Sequence, residues 1–411
     1  MKVTFIQPYY HNVWEALGIG YIASYCKMSY YSKPFTMNFF QETFDDADYI
    51  VQEAAKSDIV GFSTTSPTFD RAVAMSLRIK AINPKVHCVF GGWHTTAMGK
   101  KCLQDGVDQI VIGEGEDAFL HILYGNRSKV MYGSKLPMED LYAPDRDLIQ
   151  NDRTISLCES MNGQRTASFQ ANRGCPIQCA FCSECKMSGR YNSKSNPIRR
   201  VGIHDLCNEI RIAIEKYDLT YFKFVDATFD SSAQYVIDLC KYKINMGIDT
   251  EWEAMIHANF ATKEMFEWLR KANCNQVNIG CESGSDKILK DIGKGVSTDK
   301  IAQVFEWAKE EGVKRRAFFL LGMPNETQED VDMTEAFVER IDPDVVGFTI
   351  LCPYPGCKLY NSSLSDTDWA NTDEYSNDFW STEHFTNEQL KATQKRLTDK
   401  FDELLCERQT K

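Results

Sequence analysis

A chain of 411 residues, 43% hydrophobic and 25% charged, is long enough for two or three domains with apolar cores of their own. Its net charge of −12 disfavours nucleic acid as a main partner, because binding a phosphate backbone needs basic surface. No apolar run reaches the roughly eighteen residues of a membrane-spanning helix, and the start Met1–Pro8 is too short an apolar run for a signal peptide. The fifteen cysteines, odd in number and scattered, argue for a reducing, cytoplasmic compartment rather than a disulfide framework.

Residues 1–125 alternate short apolar runs with helical patterns. Val3–Ile6, Ile59–Ser63, Val86–Phe90 and Gln109–Ile112 read as strands, Ala16–Tyr30 and Thr68–Ile82 as helices. In the second helix Ala72, Met75, Ile79 and Ile82 share a face, with Val73 and Leu77 beside it. Such alternation predicts a Rossmann-like α/β domain, a parallel sheet covered on both faces, with ligands outside the carboxyl ends of its strands. Those ends carry Thr65 and Ser66, then Gly91, Gly92 and His94, then Gly113, Glu114, Gly115 and Glu116. Small residues let a bulky ligand approach backbone, and hydroxyls offer hydrogen bonds. Each turn alone also reads as turn chemistry and helix capping, Glu116 being favourable at a helix start. Their placement at equivalent positions of one sheet favours a ligand site.

Residues 126–165 lose periodicity, and Gly133, Pro137, Pro144, Asp145 and Asp147 read as an irregular linker. Residues 166–360 resume strand–helix units. Strands are predicted at Ala167–Gln170, Tyr221–Val225, Thr250–Met255, Gln276–Ile279, Arg316–Leu321 and Val345–Leu351. Leu206, Ile210, Ala213, Ile214 and Tyr217 make one face of a helix over His204–Tyr217. Six units imply an open, partial (β/α)6 barrel with active residues at the carboxyl ends of the strands.

After the first of these strands come Cys175, Cys179 and Cys182, spaced x3 and x2. Thiolates suit iron–sulfur clusters and zinc. On a four-iron cluster three thiolates leave one iron open to chemistry. A zinc site completed by Cys185 is the alternative, although structural zinc usually draws on a second cysteine pair farther along, and none follows here. The remaining cysteines, among them Cys240, Cys281 and Cys352, sit in apolar contexts and read as core. Asp226 and Asp230 are candidate acceptors for a cationic group, Asp230 equally a helix cap. Glu282 would be costly to bury without a partner. His257 reads as a proton donor, a substrate contact or, preferentially, a satisfied core histidine. Residues 361–411 begin as a polar loop anchored by Trp369, Phe379 and Trp380, expected at the barrel mouth. A helix then starts at Thr386, with Gln389 completing a capping box and Leu390, Leu397, Phe401 and Leu404 as its stripe.

The cysteine triplet resembles that of radical S-adenosylmethionine (SAM) enzymes. Residues 17–21, Thr65–Thr68, Gly91–His94 and Gly113–Glu116 resemble the cobalamin-binding domain that precedes some of them, without the DxHxxG segment of better-known cobalamin proteins. Relatives also share a passage like Pro144–Leu148. The resemblance implies a [4Fe–4S] cluster on Cys175, Cys179 and Cys182, and a second cofactor, SAM, bordered by Phe181, Asp226, Thr228, Gly280, Glu282, Ser283, Leu320 and Gly322. It implies cobalamin at Leu17, Gly18, Thr65, Ser66, Gly91, Gly92, His94, Gly113, Glu114, Gly115 and Glu116, His94 fitting a loop-capping role better than a cobalt ligand. Asn325 stands where many relatives have glycine and is expected to tolerate a left-handed turn. Many relatives carry arginine where His257 stands.

The activity implied is methylation of an unactivated carbon, or of phosphorus, in a small molecule. One SAM supplies the methyl group to cobalamin, and a second supplies the radical that activates the substrate. A flavodoxin- or ferredoxin-like protein would deliver electrons. Ring closure with cobalamin as electron partner, or a binding module without turnover, are the alternatives. No RNA-binding module follows the barrel, which weighs against a transfer-RNA methylthiotransferase.

Overall fold

Strand–helix alternation folds the chain into two parallel-sheet units. The computed structural model describes residues 1–187, 198–365, 367–373 and 377–409. One unit comprises Met1–Gln164 with Tyr354–Gly356 and Asp368–Asn371; the other comprises Arg165–Pro353, Cys357–Thr367 and Thr372–Lys411.

In the first unit the strands are β1 Lys2–Gln7, β2 Thr36–Gln41, β3 Ile59–Ser63, β4 His87–Gly91, β5 Gln109–Ile112 and β6 Val130–Tyr132. They form a six-stranded sheet in the order β2-β1-β3-β4-β5-β6, every pair parallel. Side chains alternate across it, as the pleat requires. Ile6, Val60, Phe62, Phe90 and Ile110 join the core built with α2 Ala47–Ala54 and α3 Phe69–Ile82. Val3, Phe5, Ile59, Val89 and Val111 join the core built with α1 Leu17–Ser29 and α5 Glu116–Leu123. The short α4 Trp93–Met98 follows β4. This order is doubly wound, with the reversal of strand order falling between β1 and β3.

Two expectations need correction here. On α3, Ile82 and Leu77 are 48% and 45% exposed; the inward face is Phe69, Ala72, Val73, Met75 and Ile79. Ile82 is the last helical residue, and Leu77 covers the backbone of Gly106 instead. The stretch 126–165 is not an irregular linker. It supplies β6, paired to β5, and α6 Asn151–Asn162. Pro144 packs on Gly20, where a Cβ would lie 2.9 Å from its ring, and the Asp145 amide donates to the Gly20 carbonyl at 3.0 Å. Arg146 donates to Asn151 Oδ1 at 2.6 Å and lies 3.8 Å from Glu15. The buried residues of α6 are Asn151, Thr154 and Ile155, so polar contacts, not an apolar stripe, hold it.

The second unit contains β7 Thr166–Phe169, a ribbon of β8 Asn172–Arg173 and β9 Arg199–Arg200, then β10 Tyr221–Phe224, β11 Glu251–Ile256, β12 Cys274–Glu282, β13 Lys314–Leu321 and β14 Val345–Ile350. A six-stranded sheet runs β14-β13-β12-β11-β10-β7, all parallel. Sequential order with β7 and β14 at open edges is that of a partial barrel. The helices are α7 Glu184–Met187, α8 Ile203–Tyr217, α9 Ala233–Asn245, α10 Lys263–Lys271, α11 Asp286–Asp291, α12 Thr298–Glu310, α13 Gln328–Ile341 and α14 Asn387–Gln409. Phe169, Phe222, Phe224, Phe229 and Trp252 form one aromatic cluster in its core.

Helix α14 packs on β14 through buried Leu390, Leu397 and Phe401; the side chain of Leu404 lies outside the described residues. Its capping box is formed, Thr386 N donating to Gln389 Oε1 at 2.8 Å and Gln389 N to Thr386 Oγ1 at 3.3 Å. The loop before it divides. Trp380 Nε1 donates to the Gly322 carbonyl at 2.7 Å, whereas Trp369 packs with Tyr354 within the first unit. Among the described residues no helix is long and apolar enough to cross a membrane.

Gly133 shows how tightly 126–165 is built in: a Cβ there would lie 1.6 Å from the Glu114 carbonyl oxygen. Gly133→Ala is expected to destabilise the protein by about 3 kcal/mol, the upper end for forcing a methyl group into packed structure. Urea unfolding measures it; an unchanged midpoint would contradict this packing.

Candidate active site

The three cysteines lie on a loop that leaves the barrel after β7 and β8. Gly174, at φ 99°, turns the chain into Cys175, a conformation that suits glycine. Asp226, just beyond β10, accepts hydrogen bonds from the amides of Asn172 at 2.5 Å and Ala171 at 3.2 Å. Thr228 Oγ1 lies 3.0 Å from Cys175 Sγ. The Ala180 amide donates to Ile292 O at 2.8 Å, and the amides of Lys358 and Leu359 donate to Ala180 O at 2.9 and 3.2 Å. Cys179 is buried, while Cys175 and Cys182 are partly accessible. The Cys185 side chain lies outside the described residues. None of the thirteen cysteines described forms a disulfide, and Cys240, Cys281 and Cys352 are buried.

The other strand ends show what each candidate does. Both Asp226 oxygens accept from the backbone of Ala171 and Asn172, so this residue positions the cysteine loop. Burial pushes its carboxyl up to about 7, the backbone amides pulling the other way. Asp230 is fully buried and accepts from the His257 amide at 2.8 Å. The cap of α9 is Ser232, not Asp230. Burial pushes the Asp230 carboxyl up to about 7, and its Oδ2 has no hydrogen-bond partner.

His257 uses both ring nitrogens on backbone. Nδ1 accepts from the Asn259 amide at 3.2 Å, so Nε2 carries the proton and donates to Lys294 O at 3.1 Å. Burial, then the Lys294 charge, pushes its pKa down to about 3. Neither nitrogen is left for substrate, and the candidate catalytic role is withdrawn.

Glu282 has the partner that its sequence context does not reveal: Lys294 Nζ donates to its Oε1 at 2.6 Å. The two side chains are 12% and 8% exposed. Glu282 takes φ 64° beside a register shift in the β12–β13 ladder. Ser283 is fully buried; its hydroxyl accepts from the Ser285 amide at 3.1 Å and meets Thr334 Oγ1 at 3.3 Å. At Gly284 a Cβ would sit 2.6 Å from Met333 O on α13. The Ser-Gly pair therefore docks β12 on α13, and the expected ligand contact of Ser283 is corrected accordingly.

After β13 the left-handed residue is Gly322, at φ 84°, and not Asn325, whose φ is negative. Asn325 reaches Asp291 instead, at 3.3 Å. The Gly322 amide donates to Glu326 Oε2 at 2.6 Å, and burial pushes the Glu326 carboxyl up to about 7. Leu320 is buried.

In the first unit the carboxyl ends of β3, β4 and β5 interlock. Thr64 Oγ1 donates to Gly91 O at 2.9 Å. Gly92, at φ 94°, leaves no room for a side chain, since a Cβ would lie 2.6 Å from Thr64 O. His94 Nδ1 lies 3.0 Å from Ser66 Oγ, and its ring stacks on Phe69 at 4.5 Å. Thr65 is capped by Thr68, its amide donating to Thr68 Oγ1 at 3.0 Å. The Gly113 amide donates to Thr96 Oγ1 at 3.0 Å, Gly115 lies against Ile22, and Glu116 is buried in the first turn of α5. Beside Leu17, Gly18 has open space where a Cβ would be. Trp14 and Trp93, beyond β1 and β4, are 53% and 41% exposed. The turn Trp369–Asn371 packs on Ser66–Thr68.

Comparison with known proteins follows this division. A family model described as the radical SAM superfamily matches residues 170–338, and one described as a B12 binding domain matches residues 9–123. An uncharacterized methyltransferase of Pyrococcus horikoshii is 27% identical over 372 residues, covering 85% of this chain and 78% of its own. An anaerobic magnesium-protoporphyrin IX monomethyl ester cyclase of Rubrivivax gelatinosus is 25% identical, covering 88% of this chain and 69% of its own. The solved structure of the radical SAM methyltransferase TsrM from Kitasatospora setae superposes with a TM-score of 0.68 at 16% identity, covering 87% of this chain and 73% of that one. That likeness is one of fold.

The chain is a radical SAM enzyme. It belongs to the family whose members carry an N-terminal cobalamin-binding domain ahead of the radical SAM barrel. Its cofactors are accordingly a [4Fe–4S] cluster, SAM and cobalamin.

His94 makes a test of the first-unit loops possible. Burial pushes its pKa down to about 4, below the roughly 6.5 of an unfolded histidine. The unfolded chain therefore binds more protons over that window, and stability falls as pH drops from about 6.5 toward 4. His94→Gln is expected to flatten the fall in urea midpoint between about pH 7 and pH 5; an unaltered slope would contradict the buried, neutral ring.

Proposed function

We propose that the chain is a cobalamin-dependent radical SAM methyltransferase acting on an unactivated carbon, or on phosphorus, of a small molecule. The observation that carries this is the cysteine loop: three thiols, the first met by Thr228, on a backbone fixed by Asp226 and Ile292, at the carboxyl ends of an open parallel barrel. Cys175, Cys179 and Cys182 would hold the [4Fe–4S] cluster through three of its irons. Phe181, Thr228, Gly280, Glu282, Leu320 and Gly322 would border SAM.

In the first unit Leu17, Gly18, Thr65, Ser66, Gly91, Gly92, Gly113, Glu114, Gly115 and Glu116 would border cobalamin. The bare backbone at Gly92 and the open space at Gly18 suit a bulky ring. His94, engaged by Ser66 and Phe69, would hold the loop that borders the cofactor. When bound, the cofactors supply a methyl donor and a 5′-deoxyadenosyl radical that takes hydrogen from the substrate. The chain's own work is to hold the reacting groups in register, since orientation accounts for much of the rate in such reactions.

An external one-electron donor of the flavodoxin or ferredoxin type would reduce the cluster, and the lack of disulfides among the described cysteines suits a cytoplasmic setting. The similarity to the Rubrivivax cyclase supports a second reading, in which the radical drives ring closure.

Reduced, cluster-reconstituted protein should release 5′-deoxyadenosine from SAM. Cys175→Ala, Cys179→Ala and Cys182→Ala should each bring the yield to background; turnover surviving in any of them would defeat the assignment. With methyl-labelled SAM and a small-molecule extract, label in the product supports methyl transfer, whereas an unlabelled product formed with 5′-deoxyadenosine supports the cyclase.

A further inference from the structure

Three buried polar residues and the partly buried Glu282, from the ends of three successive strands and the loop after α11, form one connected chain. Asp230 accepts from the amide of His257, His257 Nε2 donates to the carbonyl of Lys294, and Lys294 Nζ donates to Glu282 at 2.6 Å. None of the links is accidental packing. Gly280 is kept bare by the ion pair, since a Cβ would fall 2.5 Å from Glu282 Oε1 and 2.9 Å from Lys294 Nζ. The loop carrying Lys294 is also the loop that holds the cysteines. Ile292 O takes the Ala180 amide. A Cβ at Gly293, φ 68°, would press on Gln178 O at 3.3 Å, and Gly295 lies beside Ile177.

A buried ion pair is costly unless something repays the desolvation. Burial pushes the Lys294 ammonium toward losing its proton, but the ion pair with Glu282 opposes this and holds the lysine charged. Charges in so poorly screened a site act on their neighbours far more strongly than at the surface. The reduction potential of an iron–sulfur cluster depends on the net charge around it.

We propose that Lys294 is a positioning residue that sets the potential of the cluster, its buried positive charge stabilising the reduced form and its pairing with Glu282 limiting that effect. The proposal rests on the cluster assignment above. On reduction the cluster takes one electron from the titrant and gains one negative charge, with no bond made or broken. Lys294→Met leaves the Glu282 carboxylate alone and should lower the midpoint. Glu282→Gln leaves the ammonium alone and should raise it. Lys294→Arg, which keeps the charge, should stay near wild type. A purely structural pair would not give shifts of opposite sign.

The test is an anaerobic redox titration followed by electron paramagnetic resonance, on full-length reconstituted protein without SAM, with iron and sulfide measured in each sample. Opposite shifts at full iron content support the proposal. Unchanged midpoints, or both variants shifting the same way, overturn it. Should Lys294→Met fail to take up iron, Glu282→Gln decides alone: a rise supports and no rise overturns. A wild-type protein without iron and sulfide defeats the cluster assignment itself, an outcome distinct from a loaded cluster with unmoved potential.

Discussion

The carboxylate of Asp226, closed on the amides of Ala171 and Asn172, fixes the strand that delivers the three cysteines. Thiols on a free loop would pair with any soft metal at whatever separation the chain allowed. Here the loop's backbone is tied at its start by Asp226, at its middle by Ile292 and Lys358, and at its first thiol by Thr228. A carboxyl group pushed up to about 7 by burial is an expensive anchor, and two backbone donors are what make it tolerable. Each tie starts at the carboxyl end of a barrel strand or in the loop after one, so the barrel's register becomes the loop's geometry.

The first unit works by the same physics with different parts. Its strand ends are locked by hydroxyls and bare glycines: Thr64 on Gly91, Ser66 on His94, Thr96 on Gly113. The result is a rim of backbone with few bulky side chains. A large planar cofactor needs such a rim, since affinity then comes from close approach over a wide area.

Regular elements with an apolar period were legible from the chain alone. The six barrel strands and the four interior strands of the first sheet follow from runs such as Ile59–Ser63 and Tyr221–Phe224, where burial coincides with β-branched or aromatic side chains. What escaped was held by polar contacts. Helix α6 buries Asn151 and Thr154, and β2 and β6 are edge strands too short or too exposed for a clear alternation. At the site, the cysteine triplet announced itself by spacing, whereas Lys294 did not. Its role depends on a fold that brings residues 282 and 294 together across a bulge. Ser283 misled for a related reason: a motif position marks a constrained residue without saying whether ligand or backbone imposes the constraint. The sign that Glu282 needed a partner was present in the sequence; the identity of the partner was not.

The account stands on one iron left open by a three-cysteine cluster. The most direct measurement is the electron paramagnetic resonance spectrum of the reduced, reconstituted protein with and without SAM, alongside metal analysis. A four-iron signal that changes when SAM is added is the predicted result. Stoichiometric zinc, or a cluster signal indifferent to SAM, would contradict it.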